Sequence, residues 1–445
     1  MKLIIRNINK VQKADIKLEG LTIIAGANSS GKSTVGKLLF SMIQSIVNAD
    51  VLKHQSKEKK LNNKVHELYN RVMGCFARVD DPEIDSMFPL PYYKMVEQLQ
   101  ALEDKETIDK YLDNLLSWIE TKKLSPRLKS LFAEDIDSIR IAMGDNQAAN
   151  VASEARVFIE SEFMNKICSY GSDKSLSELD FDEPGSNLIL EFKNDKINKV
   201  QTNYKDFLVD ATYVESPLYL HILDTLLAAT TYREYQKNSR FLFRGMVPIH
   251  IKDLATKMYA LQMVSDYELT REYGLSDIMG GQFIFNNDSK TIRFISKDSG
   301  LELSPINIAS GIKTFGLVQI LLETKVIGNN KVLIWDEPEN HLHPRWQVAF
   351  AELLVNLAKK GIPVVISTHS PYFVQGIRYF SAKHDIENYT NYYLAEEQNN
   401  MLSEIKEVTN DLNQVFSKLA EPLNDIMNVD QIRRERKKHD PIGII

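Results

Sequence analysis

The chain has 445 residues, 43% of them hydrophobic and 26% charged, with a formal net charge of −6. That balance suits a globular protein of more than one lobe and argues against one that coats nucleic acid over its whole surface, although a local basic patch is permitted. No stretch approaches the roughly 18 to 20 continuous apolar residues of a membrane helix, and the chain opens on a strand-like segment, so a cytoplasmic protein without a membrane partner is expected. The two cysteines, Cys75 and Cys168, lack metal-ligand spacing and imply no disulfide framework.

The alternation of Leu3, Ile4, Ile5 and Ile8 predicts a first strand within residues 2–14, turning into a second around 15–25. The apolar run Leu21 to Ala25 then leads into Gly26-Ala27-Asn28-Ser29-Ser30-Gly31-Lys32-Ser33, followed by Thr34 and an amphipathic helix read to about Asn48. Strand, glycine-rich loop and helix in this order form a phosphate-binding loop: Gly26 and Gly31 let backbone N–H groups turn toward α/β-phosphates, Lys32 reaches the β/γ-phosphates, and the Ser33 hydroxyl ligates Mg²⁺. All nine residues from Gly26 to Thr34 are candidate ATP-binding positions.

Residues 49–185 read as a compact helical insertion, mildly acidic, with Leu68, Val72, Met95, Leu99, Leu115, Trp118, Phe158 and Phe163 at three- and four-residue spacings. No heptad is sustained and prolines interrupt the pattern, which excludes long coiled-coil arms. From residue 187 strands return, with a hairpin turn at Asn194-Asp195, another strand to Val214, helices after Pro217 and over 251–266, and a second hairpin around Asn287-Asp288-Ser289. Ser310 is expected to cap a helix with Gly311 in its first turn, a helix start suited to anions.

The run Val332-Leu333-Ile334-Trp335 reads as a central parallel strand buried on both faces, ending in Asp336 and Glu337. Adjacent carboxylates at such a strand end divide the labour: Asp336 holds Mg²⁺, directly or through water, and Glu337 orients and polarises the attacking water. His341 and His343 lack the helical i, i+4 spacing of a zinc motif and read as parts of a shaped interface loop. A further buried strand, residues 364–367, runs into Thr368-His369-Ser370-Pro371, where His369 is placed to sense the γ-phosphate and to hold the water or Glu337. A strand at 392–395, a helix over 411–427 and a basic tail at 431–445 end the chain.

The order of ATP loop, Ser310-Gly311 helix start, Val-Leu-Ile-Trp-Asp-Glu-Pro and Ser-Thr-His-Ser-Pro resembles the ABC-type ATPase heads of the SMC, RecF and OLD group, in particular stand-alone ATPases of prokaryotic genome maintenance and anti-phage defence. Glu337-Pro338-Glu339-Asn340-His341-Leu342-His343-Pro344 is similar to the Glu-Pro-Glu-x-x-Leu-His-Pro run of that group. The resemblance implies an α/β P-loop ABC-type head, a mixed sheet with an antiparallel β subdomain, built from residues 1–48 and 186–430 around the helical insertion. It further implies that Ser310 and Gly311 contact ATP held by a second copy, so that a homodimer or higher homo-oligomer sandwiches ATP and Mg²⁺ head to tail. The signature reads Ile-Ala-Ser-Gly-Ile-Lys, not Leu-Ser-Gly-Gly-Gln, which disfavours a transporter; the Mg²⁺-sensing glutamine of the group has no assigned counterpart, Gln44 lying too early. Since no clustered carboxylates follow His369, a nuclease activity is expected in a separately encoded effector that this ATPase controls. An alternative is a repair or chromosome-maintenance ATPase that closes on DNA itself.

Overall fold

The computed structural model describes the chain except for residues 77–86, 89–90, 103–104, 123, 144–146, 182–185, 204–209, 232–245, 399–400 and 422–445, so the basic tail and the expected helix end near 427 lie outside the described residues. Two compact units are formed, one of residues 1–47 and 152–445, the other of residues 48–151.

The smaller unit is helical. Its core joins Leu61, Leu68 and Val72 of the helix Lys32–Phe76 to Met95 and Leu99 of Tyr93–Gln100, Leu115 and Trp118 of Lys105–Thr121, and Phe132 and Ile136 of Pro126–Met143. Ion pairs fasten the same helices, Arg71 to Asp135 at 2.6 Å and Arg140 to Asp113 at 2.6 Å. The first helix therefore does not end near Asn48 but runs 45 residues to Phe76. Polar residues from 53 to 60 obscure its apolar period, yet no Gly or Pro falls between Gly36 and Gly74 to stop it.

The larger unit is built on one sheet. In chain order its strands begin with β1 (Lys2–Ile8), β2 (Val11–Lys17) and β3 (Leu21–Gly26), and continue with β4 (Lys174–Asp180), β5 (Asn187–Lys193), β6 (Lys196–Asn203) and β7 (Asp210–Val214). The short β8 (Thr230–Thr231) pairs with β9 (Met246–Val247), and β10 (Gly281–Asn286), β11 (Thr291–Ser296) and β12 (Glu302–Leu303) make a separate small sheet. Then β13 (Lys331–Asp336), β14 (Val364–Thr368), β15 (Thr390–Glu397) and β16 (Ser403–Glu407) return to the large sheet. Its eleven strands lie in the order β6-β5-β4-β1-β2-β16-β15-β3-β14-β13-β7.

β15, β3, β14, β13 and β7 are mutually parallel, whereas β6, β5, β4, β1 and β2 are antiparallel. The fold is α/β with a mixed sheet. Three expected boundaries shift. The first hairpin turns at Asn9-Lys10, not near residue 15, because Asn7 and Asn9 take left-handed backbone angles (φ 54° and 47°) that asparagine tolerates. The expected helical insertion to 185 ends earlier, since residues 152–163 belong to the larger unit, where Phe158 meets Phe40 edge-on at 6.0 Å. And 174–180 is strand β4: its inward positions include Ser175 and Ser177, so a hydropathy alternation was absent from that stretch.

Candidate functional site

Parallel strands buried on both faces leave their carboxyl ends as the places where polar groups collect. Four neighbouring ends do so here. β3 opens into the glycine-rich loop, β13 ends in Asp336 and Glu337, β14 in Thr368 and His369, and β7 in Glu215. The pairings Asp336 with Ser367 and Thr368 with Ala25 set these ends level with one another.

The two loop glycines are required for different reasons. Gly31 has φ 89°, and a Cβ there would also press on Val11 at 2.8 Å. At Gly26 the constraint is space, since a Cβ would lie 2.7 Å from the Ala395 carbonyl. Ser29, at φ 61°, completes the turn. Lys32 and Ser33 begin the helix, and the first four N–H groups of any helix have no intrahelical acceptor. The result is a cradle of backbone N–H groups kept clear by missing side chains, which fits a phosphate chain.

Lys32 is buried and folds back over the loop. Its Nζ donates to the carbonyls of Gly26 (3.1 Å) and Ala27 (2.8 Å) and lies 3.6 Å from Oε1 of Glu337. Lys32, Tyr213, Asp336 and Ser367 line one small cavity. Asp336 accepts hydrogen bonds from Tyr213 Oη at 3.0 Å and from Ser367 Oγ. A carboxylate has lone pairs to spare beyond two such bonds, so Asp336 with the exposed Ser33 hydroxyl is a donor set suited to Mg²⁺. Burial first, then Asp336 and Glu215, push the Tyr213 phenol well up, so that it remains a proton donor to Asp336.

Glu337 sits in the left-handed region at φ 47°, a conformation that costs about 1 to 2 kcal/mol for a residue with a Cβ. Its N–H is anchored by the Ser367 carbonyl (3.0 Å) and Oγ (3.2 Å), and the strained turn aims the carboxylate away from the strand. Oε2 accepts from Asn340 at 3.0 Å, and His369 Nδ1 lies 3.3 Å from Oε1. Partial burial alone would raise this carboxyl; the Asn340 bond and the charges of His369 and Lys32 outweigh it and hold it below the ordinary value. An ionised, partly exposed carboxylate is able to accept a proton from water.

The geometry brings together Lys32, Asp336, Glu337 and His369, four residues singled out from sequence. It places Ser310 and Gly311 elsewhere on the same unit. Ser310 is not the cap of its helix: the cap is Ala309, with no side-chain hydrogen bond, and Ser310 is the first helical residue, its hydroxyl 3.5 Å from the His341 carbonyl. Gly311 is needed for packing, because a Cβ would meet the Trp346 ring at 2.9 Å. His343 caps the helix Pro344–Lys359 by accepting from Arg345 N–H, and among the described residues no cluster of three His, Cys, Asp or Glu could hold a metal. Gln44 spends its amide on Asp210 (2.6 Å) and the Ala211 carbonyl (2.8 Å), a structural use.

Glu339 was not singled out from sequence. It is buried, and its Oε1 takes hydrogen bonds from Thr368 Oγ1 (2.5 Å), His369 N–H (2.9 Å) and Ser370 N–H (3.2 Å), so it fixes the loop that presents His369. Its repetition two residues after Glu337, across a proline, was the available signal. Tyr213 carried none, being 123 residues from its partner Asp336. Ser370 caps the helix Pro371–Lys383 and donates to Gln347, closing the same loop from behind.

Among the described residues no helix is long and apolar enough to cross a membrane. A curated relative, the uncharacterized protein MJ1542 of Methanocaldococcus jannaschii, is 25% identical over 213 residues, which are 42% of this chain and only 26% of that protein. Among solved structures, the SMC head domain from Thermotoga maritima matches with a TM-score of 0.39 at 11% identity, covering 92% of this chain and 98% of that one. The Smc head domain with an extended coiled coil bound to the C-terminal domain of ScpA, derived from Pyrococcus furiosus, also gives 0.39 and 11%, over 96% and 98%. The family described as "AAA domain, putative AbiEii toxin, Type IV TA system" matches residues 85–375, a span that contains Asp336, Glu337 and His369 and begins beyond the glycine-rich loop. That span is more than half of the chain, and the protein belongs to this AAA-domain family.

Proposed function

We propose that this protein binds and hydrolyses ATP, and that the observation carrying this reading is the meeting of Lys32, Asp336, Glu337 and His369 at one edge of the sheet, within reach of the Gly26–Thr34 loop. The loop N–H groups hold the phosphate chain, and Lys32 exchanges its loop carbonyls for β/γ-phosphate oxygens. Ser33 and Asp336 would hold Mg²⁺, which when bound would supply charge neutralisation on those phosphates. Glu337 takes a proton from the attacking water while its Oε2 stays bonded to Asn340, and His369 steadies both Glu337 and the water.

Ser310 and Gly311 lie at a half-buried helix start beside the turn 341–346. That placement supports their use in trans, with two copies packed head to tail around two ATP molecules and the homo-oligomer opening again on hydrolysis. We read the chain further as a regulatory ATPase that controls a separate effector, a nuclease in an anti-phage setting; the family description, which names a type IV TA system, supports the regulatory part of that reading. The test is to purify Glu337→Gln with ATP and Mg²⁺ and to measure bound nucleotide, mass and co-purifying proteins. Retained ATP, an ATP-dependent rise in mass and a nuclease partner are expected; normal turnover by this variant would remove Glu337 from its role.

A further inference from the structure

One buried charged cluster is not used by the chemistry above. His250, in the helix Ile249–Tyr259, is fully buried, with Nδ1 2.5 Å from Oε2 of the fully buried Glu162 and Nε2 3.2 Å from Oε2 of Glu215. A neutral imidazole offers one donor and one acceptor, so carboxylates on both nitrogens are satisfied together only by the doubly protonated ring. Helix capping explains half of this arrangement. Glu162 Oε1 accepts from the His250 N–H (3.1 Å) and Ser161 Oγ from the Ile249 N–H (2.9 Å), which secures the start of the helix. The cap leaves the contact between Nε2 and Glu215 unexplained.

Glu215 occupies a telling position. Val214 pairs with Trp335 on the neighbouring parallel strand, so Glu215 stands level with Asp336, about 5 Å across the sheet. Lys37, one helical turn beyond Ser33, reaches within 3.8 Å of its Oε1. Tyr219 Oη donates to Oε2 at 2.9 Å. Tyr213, which binds Asp336, lies edge-on to the His250 ring at 4.8 Å. The Glu215 side chain is 38% exposed while His250 and the Glu162 behind it are sealed off, so a held carboxylate faces outward beside the candidate cation ligands.

We propose that Glu215 is a further carboxylate of the nucleotide site, accepting hydrogen bonds from water around the Mg²⁺ carried by ATP, and that His250, braced by Glu162, is its positioning residue. This rests on the nucleotide-binding reading and deepens it. Mg²⁺ keeps several waters when bound to nucleotide, and outer carboxylates that order them tune its affinity.

The experiment is calorimetric titration of ATP into the full chain, with Mg²⁺ and with Mg²⁺ chelated, for wild type, Glu215→Gln and His250→Gln. Wild type is expected to bind more tightly with Mg²⁺; both variants lose about 10- to 100-fold of that advantage, while their affinities under chelation stay within about two-fold of wild type. If His250→Gln fails to fold by circular dichroism, Glu162→Gln, which keeps an acceptor for the helix N–H, replaces it with the same expectation. Variants that retain the full Mg²⁺ advantage overturn this inference alone. A wild-type chain that binds no ATP in either condition overturns the nucleotide reading and this inference with it.

Discussion

The two halves of the large sheet use similar amino acids to different ends. In the antiparallel half, β4 and β5 bury every second residue and turn the others to solvent, and charges such as Glu191 and Lys199 pair across the open face. In the parallel half, β3 and β14 are buried at every position, β13 and β7 at all but their first, and the candidate site residues follow at the carboxyl ends. A charge on the first surface is solvated and contributes little. A charge at the second edge has lost much of its water and persists because a neighbour compensates it, as Lys32 does for Glu337. The candidate site residues therefore gather where doubly buried strands end and exposure begins, with Glu337 and His369 25% and 39% exposed.

Substitutions sharpen that contrast. Lys32→Ala has the largest expected effect, loss of measurable ATP binding in calorimetry, because the buried ammonium is the cation aimed along the loop. Glu337→Gln is expected to bind ATP yet turn over about 10²- to 10⁴-fold more slowly in single-turnover assays. Gly31→Ala, forced to φ 89° against Val11, should cost about 1 to 3 kcal/mol in chemical denaturation and weaken nucleotide binding.

A smaller effect follows from Glu215. The His250 hydrogen bond, partly opposed by burial and helped by Lys37, holds its carboxyl at about 2 against an ordinary 4.5. A lowered carboxyl stabilises the fold above its unfolded value and loses that contribution as pH falls through the folded one. The stability gap between wild type and Glu215→Gln should thus be present above pH 4.5 and vanish toward about pH 2. Partial exposure limits it to about 1 kcal/mol, followed by urea unfolding at stepped pH. On the antiparallel face, Lys199→Ala should shift stability by no more than about 0.5 kcal/mol and leave ATP binding unchanged. A large loss there would erase the distinction between the halves.

The same contrast explains which elements could be read before folding. β3, β13 and β14 were legible because double burial writes itself as an unbroken apolar run. β4 was not, since serines fill two of its inward positions, and the long first helix was cut short because its polar middle carries no apolar stripe. Glu339 and Tyr213 went unassigned for a third reason. Their roles are set by hydrogen bonds to residues 29 and 123 positions away, and local pattern holds no trace of such distances.

Local order alone determined the strand, loop and helix of the phosphate cradle and the acids at a buried strand end, because backbone conformation and burial period are properties of neighbouring residues. Only the tertiary structure decided that β13 lies between β7 and β14, that Glu337 faces both Lys32 and His369, and that a sealed histidine ties Glu215 to Glu162. The reason is physical: compensation of buried charge depends on distances across the sheet, and those exist only once the chain has closed on itself.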